Sequence, residues 1–143
     1  MKKLLILVSL TLSLFATNID SFAKGISYER DYKTALAKAK KANKPLMLVL
    51  GADYCPWCRK FERKTLSSKK VKVFVSSEVI PLIVDKKYDI ETYPKGFQTY
   101  MTPRVFFINP HTQKSFLDTI GYIKKKEFYQ NLKAVKKLYD KEK

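Results

Sequence analysis

The chain has 143 residues, 45% of them apolar and 13% aromatic, which bounds it to one compact domain with an ordinary core. Its formal net charge is +16, but the lysines are spread from Lys24 to Lys143 without an arginine-rich patch or a nucleic-acid motif. The charge therefore reads as a solvated lysine surface, with attraction to acidic partners or lipid headgroups as the alternative, and no nucleic-acid partner is expected.

Met1-Lys2-Lys3 is a short basic start, and Leu4 to Phe15 is an apolar run broken only by Ser and Thr. Thr17 to Ser21 is polar, and Ser21-Phe22-Ala23 places small residues at the two positions that signal peptidase reads. This predicts a cleavable export signal over residues 1–23 and a single domain over 24–143, with Ala16 as the second-choice cleavage position. A membrane anchor is the alternative, although the run is shorter than the roughly 20 residues a spanning helix needs.

Tyr28, Tyr32, Ala35, Leu36 and Ala39 recur at helical spacing and predict an amphipathic helix from Tyr28 to Asn43. Leu46 to Leu50 is a continuous apolar run with the length and pattern of a strand buried on both faces, and it stops at Gly51. A second helix fits Pro56 to Leu66, with proline in the first turn, and Ser67-Ser68 open a further short helical stretch through Phe74. Val79 to Val84 reads as a strand ended by Asp85, and Pro81 within it demands a place where its missing donor is not needed. Residues 86–102 form a long tyrosine-rich connection, the kind that is often functional. Arg104 to Asn109 and Lys114 to Ile120 make a hairpin closed by Gly121, and Lys124 to Tyr139 is a terminal helix with Phe128, Leu132, Val135 and Leu138 on one face. The first strand–helix–strand unit implies a right-handed parallel crossover, and the hairpin adds an antiparallel part.

The chemistry gathers at Cys55-Pro56-Trp57-Cys58, the chain's two cysteines. Export to an oxidising compartment would let a disulfide persist. As a staple, the pair closes a loop of only two intervening residues, where little unfolded-state entropy is removed. As a zinc site it lacks ligands, since His111 is the one histidine in the chain, so no metal or cofactor is expected. As a redox pair it fits: a cysteine at a strand-to-helix junction lies near free backbone N–H groups that favour its thiolate. A second cysteine three positions on is near enough to resolve a mixed disulfide. Cys55 should be the exposed attacking sulfur and Cys58 the shielded one.

Gly51 to Lys60, following a buried strand, resembles the active-site segment of thioredoxin-fold proteins. Thr102-Pro103, directly before the strand Arg104 to Asn109, stands at the family's cis-proline position. The resemblance covers Lys44 to Leu132 and is nearest to exported thiol–disulfide interchange proteins. It implies a three-layer α/β/α fold with a mixed sheet of about four strands, a cis Thr102–Pro103 bond, and Cys55 and Cys58 as the catalytic pair. It further implies Thr102 and Pro103 as substrate-contacting positions, Thr102 by pairing its backbone with an extended substrate. Trp57 would offer an apolar contact to a partner, with simple covering of the sulfur as the alternative.

By the same resemblance, the partners are exported protein thiols and disulfides and a membrane electron-transfer protein, and the compartment is the periplasm. Nothing in the sequence demands more than a monomer. The expected activity is thiol–disulfide exchange as a reductase, with a disulfide-introducing oxidase or a non-catalytic chaperone or copper carrier as alternatives. One departure is evident: the family's buried acid, six positions before the first cysteine, is here Val49. Asp53 is expected at the surface, and His111 is assigned no catalytic part.

Overall fold

The computed structural model describes residues 18–142. Its helices are α1 (Asn18–Ile26), α2 (Tyr32–Ala42), α3 (Pro56–Phe61), α4 (Lys69–Glu78) and α5 (Lys125–Lys141), and its strands β1 (Leu46–Gly51), β2 (Ile80–Asp85), β3 (Arg104–Ile108) and β4 (Ser115–Ile120). A single π-helical turn, Glu62–Leu66, continues α3, and a short 3₁₀ turn, Lys95–Phe97, lies in the connection from β2 to β3.

The four strands form one mixed sheet in the order β2-β1-β3-β4. β1 pairs in parallel with β2 and antiparallel with β3, and β3 with β4 is antiparallel. All six residues of β1 are buried, as its unbroken apolar run requires of a central strand covered on both faces. Alternation then sorts its side chains. Met47 and Val49 face a core built with α1, α3, α4 and α5 through Ala23, Phe61, Val75 and Phe128. Leu46, Leu48 and Leu50 face a second core with Tyr32, Ala35 and Ala39 of α2 and with Tyr93 and Phe97 of the long connection. This is the expected three-layer α/β/α architecture. Pro81 lies in β2, at the sheet edge, where its carbonyl accepts from the Glu29 N–H.

Three boundaries differ from the sequence expectation. The helix expected from Tyr28 begins at Tyr32, because Asp31 takes the N-cap and accepts the Thr34 N–H at 2.7 Å. Glu29 is thereby free to pair as an extended residue beside Leu82. The helix after Ser68 runs to Glu78 rather than stopping at Phe74, since Val75 is needed in the core. The third difference concerns the domain boundary. The expected signal falls on residues 1–17, outside the described residues, and on 18–23, which belong to α1. α1 packs on the domain ahead of Lys24 as well: Ile19 and Ala23 are fully buried, and Asp20 accepts Arg30 Nε at 2.7 Å. Arg30 also pairs with Asp89 at 2.9 Å and donates to the Ile83 carbonyl, so it ties α1 to β2 and the turn after it.

Burying one isoleucine contributes about 1.5–3 kcal/mol. A chain starting at Lys24 is therefore expected to unfold at lower denaturant than one starting at Thr17, by at least that amount in free energy. Equal midpoints would show that α1 adds nothing to the fold.

Candidate active site

β1 ends at Gly51, and α3 starts at Pro56. The loop between them is held from outside by Asp85, the buried last residue of β2. One Asp85 carboxylate oxygen accepts the Lys87 and Tyr88 N–H groups at 2.7 and 2.9 Å, and the other accepts the Asp53 N–H at 3.1 Å. One side chain thus fixes both the turn after β2 and the segment entering the cysteines. The sequence marked Asp85 merely as the end of a strand.

Cys55 is the N-cap residue of α3, and its Sγ accepts the Cys58 N–H at 3.1 Å. Proline at the first turn leaves no donor there to waste. Cys55 is half-buried and Cys58 is 1% exposed, and the two are joined as a disulfide. Facing them, the Thr102–Pro103 bond is cis. The Thr102 Oγ1 and carbonyl oxygen lie 3.5 and 3.6 Å from Cys55 Sγ. Pro103 is buried at the start of β3, and its carbonyl accepts the Gly121 N–H at 2.8 Å. Gly121 has φ +80°, a left-handed conformation that the closing turn requires and that glycine adopts without strain. Trp57 is 56% exposed, its ring 5.9 Å from that of Tyr122, with Lys60 Nζ 4.8 Å from both. A cleft beside Cys55, lined in part by Tyr54, Tyr88, Tyr100 and Met101, is open to solvent. His111 is elsewhere, with its Nε2 3.3 Å from Asn43 Oδ1 near the start of β1.

Glu62 is the group the sequence reading missed. It stands four residues after Cys58, one turn along the same helical path, and is 5% exposed. A Cβ built on Gly51 would lie 4.0 Å from its Oε1 and 3.6 Å from Ile19 Cδ1, so the carboxyl sits under the strand-to-helix junction with α1 beside it. Arg59 Nη2 is 2.7 Å from Oε1, but off the line of a hydrogen bond, and Oε1 is left without a hydrogen-bond partner. Burial raises the Glu62 pKa to about 7, against the opposing pull of Arg59 and with a smaller push from Asp53. The i, i+4 spacing from Cys58 was the available signal. A glutamate followed by Arg63 and Lys64 reads as a surface position until the helix is placed.

A disulfide-forming pair at the N-terminus of a helix over a mixed sheet, facing a cis-proline, defines a protein of the thioredoxin type. The thioredoxin-like family model matches residues 27–110, and the chain belongs to that family. Anterior gradient protein 2 homolog of Homo sapiens is 28% identical over 83 residues, covering 58% of this chain and 46% of that protein. Spermatogenesis-associated protein 20 of Rattus norvegicus is 31% identical over 68 residues, 48% of this chain and 8% of that protein. The chain spans about half or less of the length of these curated relatives. Among solved structures, a thioredoxin from Thermus thermophilus superposes with a TM-score of 0.64 at 21% identity, covering 76% of this chain and 85% of that one. The oxidised C-terminal domain of Neisseria meningitidis DsbD gives 0.58 at 21% identity, covering 75% and 97%.

The raised Glu62 pKa has a signed consequence for stability. A carboxyl whose folded pKa lies above its unfolded value stabilises the fold fully below the unfolded pKa, and that stability is lost as pH rises through the folded one. The window here runs from about 4.5 to about 7. Stability is expected to fall across it by up to about 3 kcal/mol, and Glu62→Gln should abolish that part of the pH dependence. An unchanged profile in the variant would mean that Glu62 does not titrate in this range.

Proposed function

We propose that this protein is an exported thiol–disulfide oxidoreductase that works in the periplasm, chiefly as a reductase, on the disulfides of other exported proteins. The observation that carries the reading is the half-buried Cys55 sulfur at the start of α3, facing Thr102 and cis-Pro103, with Cys58 shielded behind it.

The reaction follows from that arrangement. The Cys55 thiolate attacks one sulfur of a substrate disulfide; a Cys55–substrate bond forms, the substrate S–S bond breaks, and the first substrate thiolate leaves. Cys58, deprotonated, then attacks the Cys55 sulfur, which forms the Cys55–Cys58 disulfide and releases the second substrate thiolate. Two electrons pass from the dithiol to the substrate. Glu62 takes the Cys58 proton, the task that Val49 cannot perform, and burial holds the carboxyl at a pKa of about 7, suited to that exchange near neutral pH. Thr102 pairs its backbone with the substrate chain, and the exposed Trp57 offers it an apolar contact. A membrane-bound thiol donor restores the dithiol.

The reductase direction is favoured over the oxidase alternative because the connection from β2 to β3 carries only the 3₁₀ turn Lys95–Phe97 and no large helical insertion. Equilibration with glutathione tests direction. A potential near that of thioredoxin, about −270 mV, fits a reductase, and one near −120 mV, as for strong oxidants, contradicts it.

The activity itself is tested by trapping. Cys58→Ser should accumulate mixed disulfides with exported proteins through Cys55, whereas Cys55→Ser should trap none and should not reduce insulin. Wild-type protein without exchange activity would leave a binding role for the fold. Glu62→Gln should slow release of the second thiolate on the order of 10²-fold while leaving the first attack intact; slowing of both steps alike would remove Glu62 from the proton transfer.

A further inference from the structure

The lysines are not evenly solvated once the helices are placed. A groove of about 600 Å³ between α4 and α5 is lined by Lys69, Lys70, Lys125, Lys126 and Lys133, with Ser68, Tyr129 and Gln130 and no carboxylate. Ion pairing sets the five apart from other cations: among the described residues ion pairs engage Arg30, Lys38, Arg59, Arg104 and Lys136, and none of the groove lysines. Glu78 and Asp140, on the same two helices, are both paired with Lys136. All five lysines are exposed.

Their placement costs the fold something. Lys69 and Lys70 open α4, and Lys125 and Lys126 open α5, the ends where helix dipoles disfavour cations; the N-caps Ser68 and Lys124 make no side-chain cap hydrogen bond. A local rule is broken four times in one place; among the described residues no ion pair engages these lysines, and the one acidic residue in either first turn is Glu127 of α5. Beside the groove lie apolar groups: Val73 is 62% exposed, and Phe74 packs edge-on against Tyr129 at 5.8 Å. A second shallow groove joins Val73 and Phe74 to Lys69, Lys70 and Tyr129, with Ser77 and the Lys136-paired Glu78 at its edge.

We infer that the α4–α5 face docks on the surface of an anionic phospholipid bilayer, with the five groove lysines among the headgroups and Val73 at the acyl boundary. Charge complementarity decides the occupant. Five clustered ammonium groups, with Glu78 at the edge of the patch already paired to Lys136, mixed with an exposed aliphatic and an aromatic pair, suit a diffuse anionic surface with an apolar layer beneath it. The inference goes beyond thiol–disulfide exchange and does not depend on it.

The test uses the chain starting at Thr17, which carries the whole described fold without the apolar leader, and vesicles of phosphatidylethanolamine with or without an equal part of phosphatidylglycerol. Partition into the anionic vesicles should exceed that into the neutral ones, and should fall as salt shortens the Debye length from about 10 Å at 0.1 M to about 3 Å at 1 M. Each lysine near such a surface strengthens partition about fivefold. Replacing Lys69, Lys70, Lys125, Lys126 and Lys133 by Gln should therefore weaken it at least 10²-fold. The matched variant with Lys33, Lys40, Lys41, Lys95 and Lys114 replaced by Gln should lose far less. Circular dichroism checks that both variants fold; the groove substitutions remove cations from helix starts and should not unfold them. Equal partition into both vesicle types, no partition at low salt, or equal losses in the two variants would overturn the proposal. Glycerophosphoglycerol in solution should compete poorly; full displacement by it at equivalent phosphate would assign the groove to a free anion and overturn it too.

Discussion

The hydrogen bond from the Cys58 N–H to Cys55 Sγ exists because β1 runs out at Gly51 and α3 begins at Pro56. β1 is buried on both faces and paired on both edges, so its end point is fixed by two cores and two neighbouring strands. The chain must leave the sheet there, and the first free N–H groups of the next helix point at whatever side chain caps it. That side chain is a cysteine. The same strand order places β3 beside β1 and running the other way, which brings Thr102 and Pro103, just before β3, level with the end of β1. Asp85, paired with Gly51 in the β1–β2 register, then holds the intervening loop by its backbone. The position of the Cys55 sulfur, its place as helix cap and the facing proline are consequences of one strand's length and neighbours.

The departure at Val49 shows how a buried position can change chemistry while the fold persists. Val49 points into the core with Val105 and Phe107 and packs as an ordinary apolar residue. The carboxyl that burial perturbs is on the helix instead, at Glu62, where a π-helical turn starts and the path of α3 widens. Gly51 borders this placement: a Cβ there would be in ordinary van der Waals contact with the carboxyl, Arg59 and Ile19, which meet at the strand end. α1 therefore does more than lengthen the domain. Its Ile19 lies over the same spot and helps keep water from it.

Much of this was legible in the sequence because it rests on patterns with a short range. A run of five apolar residues before Gly51 can only be a covered strand in a chain of this size, and Cys-Pro-Trp-Cys directly after it places two sulfurs one turn apart. Thr102-Pro103 was legible through the strand it precedes. What was hidden depends on tertiary neighbours. Nothing local distinguishes Glu62 from the solvated Arg63 and Lys64 beside it. Asp85 reads as a strand terminator until the Asp53 N–H is brought to it across 32 residues. The α4–α5 lysine groove joins residues from two helices far apart in the chain, so along the sequence its lysines look evenly spread. Residues 18–23 carried two signals at once, a processing motif and an amphipathic turn, and the motif was the easier to see.

One helix start presents the two sulfurs unequally, and reactivity reads that most directly. After reduction, the protein is treated with limiting iodoacetamide at neutral pH, and the modified cysteine is located by mass spectrometry over time. The account predicts that Cys55 is alkylated first and far faster than a free cysteine, with Cys58 protected until the fold is denatured. Equal labelling of the two, or Cys58 ahead of Cys55, would contradict it.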